Sequence, residues 1–376
     1  MKRLLVCLLL VGVVGCGENQ QAQKQPTEAS QQKQQDDPGA IHALEQIGAK
    51  LDHDWAGNVY CVDLSDANVT DTDLAHLKGL PSCTTLQLRR TQIADAGLKY
   101  LKELTNLTTL ELGSTQITDD GLAHLQGLVE LRGLDLLRTM TTDRGLEHLQ
   151  GMVGLVSLDL AETTITDHGL RQLKEMTQLQ TLSVAGTKVT NTGLVHLTGL
   201  TNLKRLDLSD TEISDAGLEH LQTLTNMESL NLHNTKISDA GLTYVKRMKK
   251  MGYLRISRTQ ITNAGLEHLL LLTELKELRL WDTKVTDAGL VHLKWMTNLK
   301  ELDLNRNKIT DAGLVHLKGL TSLQFLDLSH TQITDAGLVH LIVMAKHLRG
   351  INLISTQVSD KALAELRRAR VFSQVN

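Results

Sequence analysis

The chain has 376 residues and a formal net charge of −4, with 41% hydrophobic but only 2% aromatic residues. Such a composition allows a sizeable core and requires it to be aliphatic. The acidic balance offers no basic field of the kind that nucleic acid demands.

In chain order, Met1-Lys2-Arg3 is a positive start, Leu4 to Val14 an apolar stretch, and Val13-Val14-Gly15-Cys16 a small-residue ending. Residues 1–15 read as a secretory signal, too short to span a bilayer as a stable helix. The four residues ending at Cys16 resemble the lipobox of bacterial lipoproteins. That resemblance implies cleavage before Cys16 and a diacylglycerol on its thiol, and Gly17 then favours the outer membrane of a Gram-negative cell. An ordinary signal peptide and a short anchor helix are the alternatives. Residues 16–39 are Gln-rich and nearly devoid of apolar side chains. They cannot offset their ordering entropy and read as a tether reaching roughly 25 to 30 Å. Residues 40–60 form an N-terminal cap, with Ile41 to Leu51 as a short amphipathic helix and Trp55 to Tyr60 as a strand. Cys61 and Cys83 are a candidate disulfide in an oxidising compartment. Alternatively they are two small buried apolar residues, Cys83 standing where later repeats place Leu.

From Gly97 to Gly337 a glycine recurs every 24 residues, within a phrase typified by Ile309-Thr310-Asp311-Ala312-Gly313-Leu314-Val315-His316-Leu317. A fixed period of this length means stacked repeats, here over residues 61–348, sharing one continuous core. Within one repeat, Leu302-Asp303-Leu304 alternates as a short half-buried strand should. Thr310 is a good helix N-cap, and Asp311 suits the positive end of the helix dipole. Leu314, Leu317 and Leu320 then form one apolar stripe over about two helical turns. No repeat can cover its own aliphatic side chains, so stacking is obligatory.

The pattern Leu-x-x-Leu-x-Leu-x-x-Thr-x-Ile-Thr-Asp-Ala-Gly-Leu resembles the leucine-rich repeat family, from about Val59 to Arg368, with thirteen strand cores from Val62 to Ile351. The resemblance implies an α/β solenoid with parallel strands on a concave face and short helices on a convex one. It also implies protein–protein interaction as the default role, with envelope polysaccharide second. The Thr-Asp-x-Gly-Leu form resembles the repeats of F-box-type substrate adaptors too, but no F-box segment is read ahead of the repeats and the lipobox argues against one. Where the family commonly has Asn in the turn, this chain has Thr (Thr91, Thr115, Thr139, Thr163), and Asn307 alone keeps the commoner form. A glycine inside a helix costs about 1 kcal/mol relative to alanine. Either the backbone takes positive φ there, or a Cβ has no room beside the adjacent helix. Asp73 and Ala362 replace the glycine in the end repeats, where one neighbour is missing, which favours packing. Residues 349–376 read as the last repeat and a polar cap carrying Lys361, Arg367, Arg368 and Arg370, after an insertion near Lys346.

Nine histidines, among them His76, His196 and His316, share one slot. Zinc needs several nitrogens about 2.1 Å from one ion, whereas neighbouring helices stand 8 to 10 Å apart. These rings therefore read as packing beside a glycine, and no metal is expected. The row between the two strand leucines is acidic or polar from Asp63 to Asn352, except at Arg255 and Arg279. Two adjacent carboxylates, as at Asp135 and Asp159 or Asp303 and Asp327, are too few for calcium. Arg255 and Arg279 should lie side by side on adjacent strands, where like charges repel. Tyr253, Trp281 and Phe325 flank them, and exposed Arg, Tyr and Trp are what binding hot spots use. The candidate partner-binding residues are thus Tyr253, Arg255, Arg279, Trp281, Asp303 and Phe325. The blander alternative pairs Arg279 with Asp303 and lets the aromatics fill the groove.

Neither a phosphate loop, a His-Glu-x-x-His pair, a nucleophile elbow nor a Cys/His constellation occurs, so no catalysis and no cofactor are expected. The expectation is an exported, lipid-anchored, monomeric binding protein of the bacterial cell envelope with an unidentified protein partner. A structural envelope spacer and a polysaccharide-binding module are the alternatives.

Overall fold

The computed structural model describes residues 35–344, 348–368 and 374–375. The leader, Cys16, most of the tether, Lys346 and Arg370 lie outside the described residues. Two compact units are present, one ending at Thr187 and one beginning at Lys188.

The first unit opens with a helix at Pro38–Gln46, capped by Asp37, whose side chain accepts the Gly39 amide at 2.8 Å. A hairpin follows, β1 (Lys50–His53) antiparallel to β2 (Val59–Asp63). The cap therefore differs from expectation: Leu51 lies in a strand, and Trp55 is 96% exposed in the hairpin turn. Asp54 sets that turn, its Oδ1 accepting the amides of Ala56 at 2.8 Å and Asn58 at 2.9 Å, while Gly57 supplies a φ of +85°. Then β3 (Thr85–Gln87), β4 (Thr109–Glu111), β5 (Gly133–Asp135), β6 (Ser157–Asp159) and β7 (Thr181–Ser183) add in order, each parallel to the last.

The second unit repeats the plan with β8 (Arg205–Asp207), β9 (Ser229–Asn231), β10 (Tyr253–Arg255), β11 (Glu277–Arg279), β12 (Glu301–Asp303), β13 (Phe325–Asp327) and β14 (Gly350–Asn352). A short β15 (Gln374–Val375), not foreseen from the sequence, pairs with β14. Each three-residue strand turns its middle residue into the core, and Leu254, Leu278 and Leu302 stand in register. Both units are thus the expected α/β repeat solenoid.

Three local devices hold the repeats. The turn threonines donate their hydroxyls within their own repeat, as from Thr91 to the Leu88 carbonyl at 2.7 Å and from Thr259 to that of Ile256 at 2.6 Å. Asn307 does more, its Nδ2 reaching the Leu304 carbonyl at 3.2 Å and that of Leu280, one repeat back, at 2.8 Å. Second, the residue before each such threonine, or before Asn307, sits in the left-handed region, with φ of 55° at Arg90, 54° at Glu162 and 55° at Arg306. In one repeat this position is Gly186, and elsewhere ordinary side chains carry the strain. Third, the helices are shorter than expected: one α turn at Asp95–Leu98 runs into a 3-10 segment at Lys99–Glu103, and Gly313–Gly319 is wholly 3-10. Leucines spaced by three suit the three-residue turn of that helix.

The 24-residue glycines are a packing requirement. Among the described residues the positive-φ glycines are Gly48, Gly57 and Gly186, none of them on this beat. A Cβ on Gly313 would lie 3.0 Å from Asp287 Cγ and 3.0 Å from Leu290 Cδ1, both of the preceding repeat. Because the obstacle precedes, the missing-neighbour argument accounts for Asp73 in the first repeat. It does not account for Ala362 in the last, where Asp335 is in place and bonds the Ser359 amide.

Candidate functional site

Residues two apart on a strand point to the same face. In the second unit the last strand residues form one outward row, Arg255, Arg279, Asp303 and Asp327 standing in register. The first strand residues form a second, of Tyr253, Glu277, Glu301 and Phe325. Arg255 and Arg279 are adjacent as the sequence required, but they do not face each other unscreened. Glu277 Oε1 accepts from Arg255 Nε at 2.8 Å and from Arg279 Nε at 2.6 Å. Burial alone would raise the Glu277 pKa, yet the two guanidiniums together hold it below the usual carboxylate range. Arg279 extends to Glu301 at 3.8 Å, so the pairing with Asp303 gives way to two glutamates.

Arg279, Asp303 and Phe325 line a shallow depression of about 220 Å³ together with Asp327 and Asn352. Its floor is Leu302, Leu326 and Ile351. Burial raises the Asp303 carboxyl to about 6, the Asn305 amide opposing and the Asp327 charge assisting. Asp327 Oδ2 accepts Asn352 Nδ2 at 2.9 Å. Phe325 is 41% exposed at the rim. The arrangement presents a guanidinium held at its Nε by Glu277, an aromatic edge and two carboxylates around an apolar floor.

The six predicted residues therefore divide. Tyr253 is 43% exposed on β10, outside the lining of the depression, and Arg255 is pinned against Glu277. Trp281 is half-buried and stacks on His233 with centroids 5.1 Å apart, which the small Ser257 of the intervening repeat permits. Glu277, not singled out from the sequence, is the residue that organises the face.

In the first unit a comparable device is Arg89, whose Nε lies 2.9 Å from Glu111 and 2.7 Å from Asp135. Burial raises the pKa of both acids, Arg89 opposing. The acidic row is thus partly neutralised from within. Cys61 and Cys83 are both buried. Cys61 precedes the inward Val62 and so belongs to the opposite face of β2, whereas Cys83 packs in the core slot of later leucines. Its Sγ donates to the Thr85 carbonyl at 3.4 Å, and burial pushes the thiol up to about 12. The slot histidines are half-buried or exposed and stand singly, His148 meeting Gln126 at 3.2 Å. No helix among the described residues is long and apolar enough to cross a membrane.

Leucine-rich-repeat family models match residues 103–125, 201–244 and 273–333. The fold and these matches define the class: the chain is a leucine-rich-repeat protein. Among solved structures it is similar to an internalin, InlF, from Listeria monocytogenes, at 25% identity over 90% of this chain and 93% of that one, with a TM-score of 0.68. A leucine-rich-repeat protein of Leptospira interrogans shares 20% identity over 78% of each chain, with a TM-score of 0.57. The ectodomain of the Arabidopsis receptor kinase HAESA, solved with a peptide hormone ligand, shares 18% over 87% of this chain and 59% of its own, with a TM-score of 0.58. No curated protein matches. Proteins of this class mediate protein binding, and that is the level of function the likeness carries.

Proposed function

We propose that this chain is a non-catalytic binding protein of the bacterial cell envelope, engaging a protein partner through the strand face of its second unit. The supporting observation is the depression between Arg279 and Phe325. Arg279 keeps 42% of its side chain exposed although Glu277 fixes its Nε, so its remaining donors are oriented and available. Phe325 supplies exposed apolar area beside them, the combination that hot spots use. Tyr253 extends the surface, while Arg255 and Trp281 support it from positions already satisfied. Lipidation of Cys16 would hold the protein at the membrane, and no cofactor or metal is needed.

Affinity capture from envelope extracts, comparing the wild-type chain with Arg279→Glu and Phe325→Ala, tests the reading. Recovery of the specific partner should fall at least ten-fold, since each hot-spot loss is worth about 2 kcal/mol. Equal recovery by all three chains would remove the site. For the anchor, Cys16→Ser should move the protein from the detergent phase to the aqueous one.

A further inference from the structure

Between helix and strand each repeat has a connecting segment, and in three successive repeats of the second unit this segment is unusual. Lys246, Arg247, Lys249 and Lys250 are all exposed in the first of them. One repeat on, Leu270 and Leu271 take the places of Lys246 and Arg247 and are 38% and 58% exposed. In the third, Lys294 and Trp295 stand in the same two places, Trp295 being 69% exposed with the Lys294 ammonium 5.1 Å from its ring centre. These segments adjoin: Asn298 Nδ2 donates to the Thr273 carbonyl at 2.9 Å, directly beside Leu271. Glu274 is the single acid against five cations in residues 246–250, 270–274 and 294–298. None of the five forms an ion pair among the described residues.

We propose that this edge is a docking surface for an anionic lipid bilayer, independent of any acyl chain on Cys16. A patch that is apolar at its centre and cationic on both sides matches the interface of such a membrane in cross-section. Leu271 and Trp295 enter the boundary between headgroups and acyl chains, where Trp is favoured. The lysines lay their methylene stems along that boundary and raise their ammonium groups to the lipid phosphates. Exposed cations outside any ion pair, Lys250 held only by Asn226 Oδ1 at 2.7 Å, fit mobile headgroups, whereas a nucleic acid would call for a row of stacking aromatics and an acidic protein for a shaped recess. The edge precedes the strands and does not include Arg279 or Phe325, so a bilayer-bound molecule keeps its strand face available.

The test is vesicle flotation of the full chain carrying Cys16→Ser, on phosphatidylglycerol mixed with phosphatidylcholine and on phosphatidylcholine alone. Binding should require the anionic lipid and weaken with salt. Each cation removed lowers partition roughly five-fold, so Lys249→Gln with Lys250→Gln should lose about 25-fold, and Trp295→Ser should weaken binding while leaving the salt dependence of what remains. These positions are exposed, and an unchanged circular dichroism spectrum shows that the variants fold. Flotation by the variants equal to that of the parent chain overturns the proposal. So does retention on heparin without flotation, which would assign the edge to a soluble polyanion.

Discussion

Asp287 and Thr310 are joined twice across adjacent repeats: Oδ1 accepts the Thr310 amide at 2.8 Å and Oδ2 its hydroxyl at 2.6 Å. Thr310 Oγ1 in turn accepts the Ala312 amide at 3.3 Å, in the turn that leads into the 3-10 helix beginning at Gly313. The same relay links Asp119 to Thr142 and Asp239 to Thr262, and Asn263 substitutes in the link to Thr286. Each aspartate thus serves the helix start of the next repeat, and the glycine of that repeat exists because the carboxylate stands there. Cap, acid and glycine are one device.

That device predicts a non-additive pair. Gly313→Ala alone should destabilise by about 1–3 kcal/mol, because the new methyl meets the Asp287 carboxylate and Leu290. Asp287→Ala alone should cost about 1–2 kcal/mol through the two lost bonds. In the double variant the carboxylate is gone, only the end of the Leu290 side chain still crowds the methyl, and alanine regains its helix preference, so the combined loss should fall short of the sum by about 1 kcal/mol or more. Urea midpoints of the four chains measure it, and strict additivity would refute the shared device.

Much of this was legible. The 24-residue period fixes the register, so the row from Asp207 to Asn352 could be read directly, with the extra residue shifting Leu326 to pair with Ile351. The strict spacing of Leu314, Leu317 and Leu320 fits a 3-10 helix as well as an α-helical stripe, so the helix type was legible only in part. Glu277 was harder to read because the neutralising acid stands one row aside from the arginines. Its signal was available: two arginines in register with an acid two residues before the second. The left-handed turn position was partly legible, since Gly186, Asn234, Asp66, Asp210 and Asp282 tolerate positive φ whereas Arg90 and Glu162 give no hint of it.

Glu277 should be the costliest single loss on the strand face. Glu277→Ala leaves two guanidiniums side by side without their shared acceptor, for a cost of about 1–3 kcal/mol. Arg279→Ala should cost under about 1 kcal/mol, since Glu277 keeps Arg255. The Glu277 pKa lies below its ordinary 4.5 in the folded state, so its contribution is present above that pH and lost as pH falls through the folded value. Denaturant midpoints at pH 7 should show the stated order, and a costlier Arg279→Ala would contradict it.

Asn307→Thr restores the residue used in the other turns and should still cost about 1 kcal/mol. The threonine keeps a bond to its own Leu304 carbonyl but cannot reach that of Leu280. Thr283, whose amide donates to Asn307 Oδ1 at 3.2 Å, should then exchange its amide hydrogen faster, while Thr259 is unaffected. Hydrogen exchange by mass spectrometry resolves the two, and equal protection of Thr283 in both chains would place the link elsewhere.

Asp303 opposes the fold when ionised. Its carboxyl titrates near 6 in the folded chain against an ordinary 3.8, so the folded state binds the proton more tightly than the unfolded state. Stability therefore falls as pH rises between those two values, and the full penalty is present above pH 6. Asp303→Asn keeps an acceptor for the Asn305 amide, which lies 3.0 Å from Oδ1, and removes the charge beside Asp327. The variant should be more stable than wild type at about pH 7.5 by on the order of 2 kcal/mol, and the gain should shrink towards pH 4. Urea titrations at the two pH values give the difference, and a carbon-detected NMR titration gives the Asp303 midpoint directly. A midpoint near 4 would remove the penalty.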